Sequence, residues 1–164
     1  MMENMMRKNF ILLATAFFCG LSSTMFALES STKEEAVIKC REAASIITSK
    51  GIETAISMIA DPHGPFVWKD SYVFLMDLEG RMLAHPMQPE LTKKKHVLLV
   101  TDHTGKAIFV HFVNLAASSE FGWVEYLWPR PGQKTPTKKT TYIYRVPDTN
   151  YFVGAGIYID GMMY

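Results

Sequence analysis

The sequence predicts an α+β fold, in which one long N-terminal helix packs on an antiparallel β-sheet of about five strands. Two observations lead to this class. Residues 33–60 repeat apolar side chains at three- and four-residue steps, which is the period of an amphipathic helix. Residues 72–84 and 122–160 contain short runs of aromatic and β-branched residues bounded by proline, glycine, asparagine or aspartate, which is typical of strands joined by turns.

Length and composition limit the classes of protein that need to be considered. The chain has 164 residues, enough for one domain with a hydrophobic core. Its hydrophobic fraction of 48% and charged fraction of 20% are ordinary for a globular protein. The formal net charge is +1, so the strongly basic face that nucleic-acid binding requires is not expected. We interpret the lysine run at 93–95 as a solvated turn.

Residues 1–27 have the layout of a secretory signal peptide. Arg7 and Lys8 give a positive start, residues 10–21 are apolar or small, and Ala27 suits the position before a cleavage site. Cleavage near Ala27 would give a periplasmic or secreted protein with one ligand-binding domain over residues 28–164. The alternative is an uncleaved membrane anchor, for which the apolar run falls short of about 20 residues. A membrane is therefore expected as a partner only if the segment is retained.

The predicted N-terminal helix covers residues 33–60. Thr32 and Glu35 have the spacing of a capping box at its start. Gly51 interrupts the pattern and predicts a bend, and Asp61 before proline predicts the end. Cys40 lies on the apolar stripe, and we expect it to be a buried free thiol, because removal of residues 1–27 leaves no second cysteine.

The next elements are shorter. Residues 72–76 are apolar on both faces, as a central strand would be, and residues 81–84 form a second strand after a turn. Residues 97–100 are another short apolar run. Asp102 is expected to cap a helix that runs to about Ser118, with Ile108, Phe112 and Leu115 on one stripe.

Three further strands are predicted at residues 123–128, 141–146 and 151–159. Alternation places Val124, Tyr126 and Trp128 on one face of the first of them. In the last strand, Gly154 and Gly156 remove side chains from one face. Glycines within a strand mark the close approach of another group, so either a packed helix or a ligand is expected above them.

Residues 126–132, 136–142 and 153–160 resemble the C-terminal half of a single Cache domain. Residues 72–77, 84–86 and 101–106 resemble earlier parts of the same family, so the resemblance covers most of residues 33–160. Single Cache domains are extracytoplasmic small-molecule sensors with a PAS-like sheet. The resemblance therefore implies a PAS-like antiparallel sheet and a role in ligand sensing, signalling or chemotaxis.

The resemblance also implies a set of ligand-binding residues. In Cache domains a His-Pro turn such as that at His85 lies near the pocket, and Lys139 falls on the family's lysine. Lys138 beside it leaves open which lysine faces the pocket. Strict alternation would place Lys139 and Tyr142 on opposite faces, so both could meet one ligand only if the strand contained a bulge. The complete predicted set is Trp68, Phe74, His85, Tyr126, Trp128, Lys139 and Tyr142.

These residue types suit a short carboxylate. A carboxylate buried among aromatic rings needs a cation or several donors, because its desolvation would otherwise oppose binding. The family's ligands include small organic acids, so we expect a ligand of the acetate, pyruvate, lactate or propionate type. With this ligand the chain is expected to act as a stand-alone secreted domain, with a membrane receptor or a kinase as a further partner.

Two other classes of function stay open at this point. One is a small periplasmic enzyme that uses His85 with an acid, and the other is a structural or partner-binding protein without a ligand. The sequence contains no H-x-x-x-H pair, no G-x-S-x-G elbow and no phosphate-binding loop. We therefore expect no catalytic activity, no metal and no cofactor.

Overall fold

A computed structural model describes residues 29–159, so the predicted signal peptide lies outside the described residues. The described part of the chain has the predicted α+β fold, with helices packed on one antiparallel sheet of six strands. Among residues 29–159, no helix combines the length and apolar character needed to cross a bilayer.

The bounds of the elements follow the chain. The helices are α1 (Lys33–Lys50), α2 (Ile52–Ala60) and α3 (Ile108–Ser118), with a 3-10 helix at Pro89–Lys93. The strands are β1 (Val67–Trp68), β2 (Ser71–Asp77), β3 (Met82–Ala84), β4 (Phe121–Pro129), β5 (Pro136–Arg145) and β6 (Tyr151–Tyr158). The sheet order is β1-β2-β6-β5-β4, and β3 pairs with β2 as well.

The predicted helix over residues 33–60 is divided into α1 and α2 at Gly51. Gly51 has a φ of 85°, a left-handed value that glycine adopts without strain, and its N–H donates to Ile47 O at the end of α1. The predicted capping box is confirmed, because Glu35 N donates to Thr32 Oγ1 at 3.2 Å and Thr32 N donates to Glu35 Oε2 at 2.9 Å. Two orphan amides at the start of α1 are thereby satisfied.

Two predicted boundaries are wrong. The fifth strand begins at Pro136 rather than at 141, because it pairs with β4 continuously from Pro136↔Pro129 to Tyr144↔Phe121. Its first residues have weak strand preference, and pairing with neighbouring strands overrides that preference. The third helix begins at Ile108 rather than near Asp102. The Asp102 carboxylate accepts from Thr104 N and Lys106 N instead, so it stabilises a turn.

The sheet separates two hydrophobic cores. Helices α1 and α2 cover one face, where Cys40, Ile59 and Val153 are fully buried. Helix α3 and the connection between β3 and α3 cover the other face, together with Phe74 and Phe112. The alternation of side chains along each strand therefore decides which core a residue joins.

The two glycines of β6 are covered by side chains of the neighbouring strands, which differs from the helix or ligand expected above them. A Cβ at Gly154 would overlap the ring of Phe74 from β2, and a Cβ at Gly156 would overlap Lys139 Cε from β5. The glycines thus let two large side chains lie flat against the sheet.

We predict that Gly154→Ala destabilises the domain by about 1–3 kcal/mol, the usual cost of overpacking a core. The backbone of Gly154 is not left-handed, so the cost should come from crowding by Phe74 alone. Urea unfolding should show a lower midpoint with an unchanged slope. In a Phe74→Leu background the added methyl group should cost less, and equal costs in both backgrounds would contradict this account.

Candidate ligand-binding site

Lys139 of β5 is almost fully buried, with 1% of its surface exposed. Its neighbour Lys138 points to solvent, keeps 54% of its side chain exposed and pairs with Glu125 at 3.0 Å. The alternation of side chains along β5 therefore directs Lys139 into the core on the α3 face of the sheet and Lys138 to the opposite face.

The side chain of Lys139 extends along one face of the sheet, over β6, as far as β2. It passes over Gly156 of β6, where any side chain would collide with its Cε. Ser71 Oγ donates to Gly156 O at 2.7 Å and joins β2 to β6 beside this crossing. A lysine on β5 can therefore place its amine beside Tyr72, two strands away, because the strand between them carries a glycine.

The Lys139 amine contacts two tyrosines. Its Nζ donates to Tyr72 Oη at 3.0 Å and to Tyr158 Oη at 3.2 Å. It also lies 4.1 Å and 4.7 Å from the centroids of these two rings, within the range of a cation–π contact. An ammonium has three donors, and no carboxylate among residues 29–159 lies within 4 Å of this one.

The environment changes the acid–base behaviour of this group. Burial lowers the pKa of Lys139 to about 7, and the negative charge of Asp70 opposes this change in part. Burial also raises the pKa of Tyr72 and of Tyr158 above their usual range, so both hydroxyls stay protonated at neutral pH. The site thus holds an amine that can be charged or neutral next to neutral phenols.

His85 lies beside Tyr72, with 4.9 Å between the ring centroids, and 4% of its surface is exposed. Its Nδ1 accepts from Gln88 N at 3.0 Å, which assigns the proton of the neutral ring to Nε2. Burial and the charge of Lys139 lower the pKa of His85 to about 3. No described residue accepts from Nε2, so His85 offers one neutral N–H donor to this region.

Tyr126 and Trp128 of β4 form an aromatic wall on the same face. Tyr126 Oη shares a hydrogen bond of 2.8 Å with Thr141 Oγ1, and its ring meets Phe112 of α3 edge-on at 5.4 Å. Trp128 meets Phe109 of α3 in the same way at 6.1 Å. Helix α3 therefore holds the wall in place through its buried phenylalanines. Together we call these residues the Lys139 cluster: Tyr72, His85, Tyr126, Trp128, Lys139, Thr141 and Tyr158.

The structure brings together five of the seven residues predicted for the site. His85, Tyr126, Trp128 and Lys139 belong to the cluster, and Phe74 stacks near His85 at 6.1 Å. Their role in binding stays a prediction.

Trp68 and Tyr142 lie elsewhere. Both pack in the core beneath α1 and α2, on the opposite face of the sheet. The register of β5 is regular, so the bulge that would have brought Tyr142 to Lys139 is absent from this strand. Tyr142 contacts Trp123 instead, at 5.2 Å between ring centroids.

The sequence-based set omitted Tyr72, Thr141 and Tyr158. A signal for two of them was present, because alternation places Tyr72 on the same face as Phe74 and places Tyr158 on the same face as Gly156. Recognising Thr141 would have required the strand to begin before residue 141. Among residues 29–159, no group of three or more His, Cys, Asp or Glu side chains is arranged to hold a metal ion.

Comparisons with known proteins agree with this architecture. A family model described as Cache domain matches residues 33–163. McpP, a methyl-accepting chemotaxis protein of Pseudomonas putida, is 35% identical over 91 residues, covering 56% of this chain and 16% of McpP. The sensor histidine kinase MctS of Rhizobium johnstonii is 24% identical over 166 residues, covering 92% of this chain and 36% of MctS.

A solved structure extends the likeness to three dimensions. A Cache chemosensory domain studied for its recognition of carboxylic acids matches with a TM-score of 0.66 at 26% identity, covering 77% of this chain and 92% of that one. The chain spans well under half the length of the two sequence relatives, at 16% and 36%. The family match extends over nearly all of the described residues. The chain therefore belongs to the Cache domain family of extracytoplasmic sensor domains.

Proposed function

We propose that this domain senses a short organic acid outside the cytoplasm and binds its carboxylate at the Lys139 amine. The single observation that carries the proposal is the burial of that amine without a carboxylate partner among residues 29–159. A buried ammonium is unfavourable unless it is paired, and an incoming anion supplies the missing partner.

The other polar groups of the cluster are suited to the same ligand. Tyr158 stays protonated, but its hydroxyl already donates to Pro129 O at 2.7 Å. Tyr72 and Tyr126 also stay protonated because burial raises their pKa values, and His85 carries its proton on Nε2. Neutral O–H and N–H groups can donate to carboxylate oxygens without adding charge to the site. One cation and several neutral donors match a single carboxylate better than a dicarboxylate, which would leave one negative charge unpaired.

The aromatic walls favour a small ligand with a short apolar part. Acetate, propionate, lactate and pyruvate fit this description, and the Cache chemosensory domain with a TM-score of 0.66 is known for carboxylic acid recognition. The relatives are a chemotaxis receptor and a sensor kinase, which supports a signalling role with a receptor or kinase as the output. Export, by a signal peptide cleaved near Ala27, is part of the same proposal.

The enzyme alternative has less support. A general base needs an orienting partner and a reacting group within hydrogen-bond reach. Nδ1 of His85 is occupied by Gln88 N, its pKa is lowered to about 3, and no carboxylate among residues 29–159 pairs with it. The relatives are sensor proteins. A binding experiment that also monitors turnover separates the two classes.

We expect Lys139→Met to weaken acid binding roughly ten- to a hundredfold, since a charge-assisted hydrogen bond contributes about 1.5–3 kcal/mol. Isothermal titration of the purified domain with acetate, propionate, lactate and pyruvate measures the effect. Lys138→Met is the matched control. It removes an equal charge from the adjacent position, where a surface ion pair with Glu125 contributes little, so affinity should not change.

The outcomes of this titration divide the possible functions. Weaker binding in Lys139→Met alone supports the proposed site. Equal affinity in both variants would place the carboxylate elsewhere. Absence of binding by all four acids in the unsubstituted domain, with no shift in melting temperature at high acid concentration, would favour a domain that recognises a protein partner instead.

Affinity should fall as pH rises through neutrality. The bound carboxylate requires the charged form of Lys139, and the pKa of this group in the free domain is about 7. Between about pH 6 and about pH 8 the charged fraction, and hence the association constant, should fall about tenfold. His85 stays neutral over this window because its pKa is lowered to about 3. Titrations in buffers of different ionisation enthalpy should show proton uptake on binding above neutral pH.

The free energy of unfolding of the ligand-free domain should increase as pH rises above about 7. Burial disfavours the charged amine, so the folded-state pKa of about 7 lies below the unfolded value of 10.5. Below about pH 7 the folded domain holds a charged Lys139, and the full cost of burying that charge lowers its stability. Between about pH 7 and 10.5 only the unfolded chain keeps the proton, so stability increases with pH over this range. Lys139→Met should remove this rise in urea stability, and an unchanged pH profile in the variant would argue against a buried amine.

A further inference from the structure

We propose that Asp70 is a positioning residue of the Lys139 cluster and couples the cluster to Ser31, the residue before the N-cap of α1. This inference rests on the proposed function only in naming a carboxylate as the ligand. Asp70 touches neither the Lys139 amine nor a proposed ligand contact, and it acts through Arg130 and Tyr158.

Asp70 is a buried carboxylate with two different partners. It lies just before β2, and 5% of its surface is exposed. Its Oδ1 accepts from Ser31 N at 2.8 Å, and its Oδ2 pairs with the guanidinium of Arg130 at 2.5 Å. Ser31 and Arg130 are distant in sequence, so this one side chain connects the start of α1 with the segment between β4 and β5.

Arg130 continues the connection to Tyr158. Its guanidinium carbon lies 4.8 Å from the centroid of the Tyr158 ring. The Tyr158 hydroxyl donates to the carbonyl of Pro129, the residue before Arg130, at 2.7 Å. Ring and hydroxyl of Tyr158 are therefore both fixed by this segment, whose position depends in part on the Asp70 ion pair.

Tyr158 completes the connection to the amine. Its hydroxyl accepts from Lys139 Nζ at 3.2 Å, and its ring faces the same Nζ at 4.7 Å from the centroid. A change in the charge or position of Lys139 should therefore alter its contacts with Tyr158. Arg130 and Asp70 then transmit this change to the hydrogen bond of the Ser31 amide. Each step is a direct contact between buried or half-buried groups, where electrostatic interactions are weakly screened.

Asp70 also acts on Lys139 through its charge. It is the negative charge that opposes the burial effect on the pKa of Lys139. Tyr72 on β2 and Tyr158 on β6 contact the amine directly. The other ionisable groups of the surrounding elements are His85 after β3, Tyr126 on β4, Arg130 after β4 and Asp70 before β2. Asp70 is the one carboxylate among these groups, and its charge raises the pKa of Lys139, so its removal should make the charged amine harder to maintain.

Asp70 is not needed to stabilise the start of α1, because other residues already do so. The capping box of Thr32 and Glu35 satisfies the first amides of the helix. Lys69 pairs with Glu29 at 2.9 Å and with Glu35 at 2.8 Å on the surface of the same end. Asp70 adds a buried connection between this end and the Lys139 cluster.

The test compares Asp70→Asn with the unsubstituted domain over residues 1–164 or its processed form. This substitution keeps the shape of the side chain, and the amide oxygen can still accept from Ser31 N, but the ion pair with Arg130 is lost. Two measurements are made: amide hydrogen exchange of Ser31 by NMR, with and without saturating acetate, and the pH dependence of acetate affinity by calorimetry.

In the unsubstituted domain, acetate should slow exchange of the Ser31 amide severalfold, because a bound anion keeps Lys139 charged and Tyr158 fixed. In Asp70→Asn this ligand-dependent difference should be lost. The alkaline decrease of affinity should also begin at a lower pH, while affinity below that decrease changes little. A purely structural role would lower the melting temperature and leave the pH profile where it was.

Lys69→Met is the matched control, since it removes surface ion pairs with Glu29 and Glu35 at the same end of α1 and leaves the Asp70–Arg130 ion pair in place. It should retain both the acetate effect on Ser31 and the pH profile. Retention of both properties in Asp70→Asn, or their equal loss in Lys69→Met, would overturn the proposal.

A ligand-free measurement keeps the inference testable if none of the acids binds. Lys139→Met should change the exchange rate of Ser31 in the free domain, and this change should vanish in the Asp70→Asn background. Coupling in this double-mutant cycle without acid binding would support the connection and reject the proposed ligand. Independent effects of the two substitutions would reject the connection, even if acetate binds at Lys139.

Discussion

The buried amine of Lys139 is the feature on which the rest of the site depends. Burying an ammonium is costly, and this cost lowers the pKa of Lys139 to about 7. Two tyrosine hydroxyls and two aromatic faces offset part of the cost. The amine reaches this position only because Gly156 leaves the middle strand bare beneath it. A glycine that weakens a strand in isolation thus lets the Lys139 amine contact Tyr72 and Tyr158.

The two faces of the sheet have different cores, one with a structural role and the other with the proposed binding role. On one face α1 and α2 cover a core of small and branched side chains, and Cys40 and Tyr142 belong to that core. On the other face aromatic residues from β2 and β4 meet the phenylalanines of α3, and the polar groups of the Lys139 cluster lie among them. Aromatic rings suit the second role because they give rigid walls and, in tyrosine, a hydroxyl at the edge.

The fold could be predicted from the sequence because its signals are local. Hydrophobic periods, the Thr32 capping box and the prolines after β4 and β5 each act within a few residues. The site could be predicted only in part. The alternation of side chains is enough to place Lys139 and Tyr142 on opposite faces. The partners of the amine depend on strand order, because Tyr72 and Lys139 become neighbours only when β6 lies between β2 and β5. Nothing local in the sequence states that order.

The choice of lysine over arginine at this position follows from the same constraint. An arginine could not lose its proton, so an empty site would have to hold a permanent buried charge. Lysine can release the proton when no anion is present, because its pKa of about 7 lies within the neutral range. It would regain the proton on binding the proposed carboxylate. Binding would then replace a neutral amine by an ion pair, a larger electrostatic change than the docking of an anion onto a fixed cation. In a sensor that difference is useful, because the contacts of Tyr72 and Tyr158 with the amine change together with its charge.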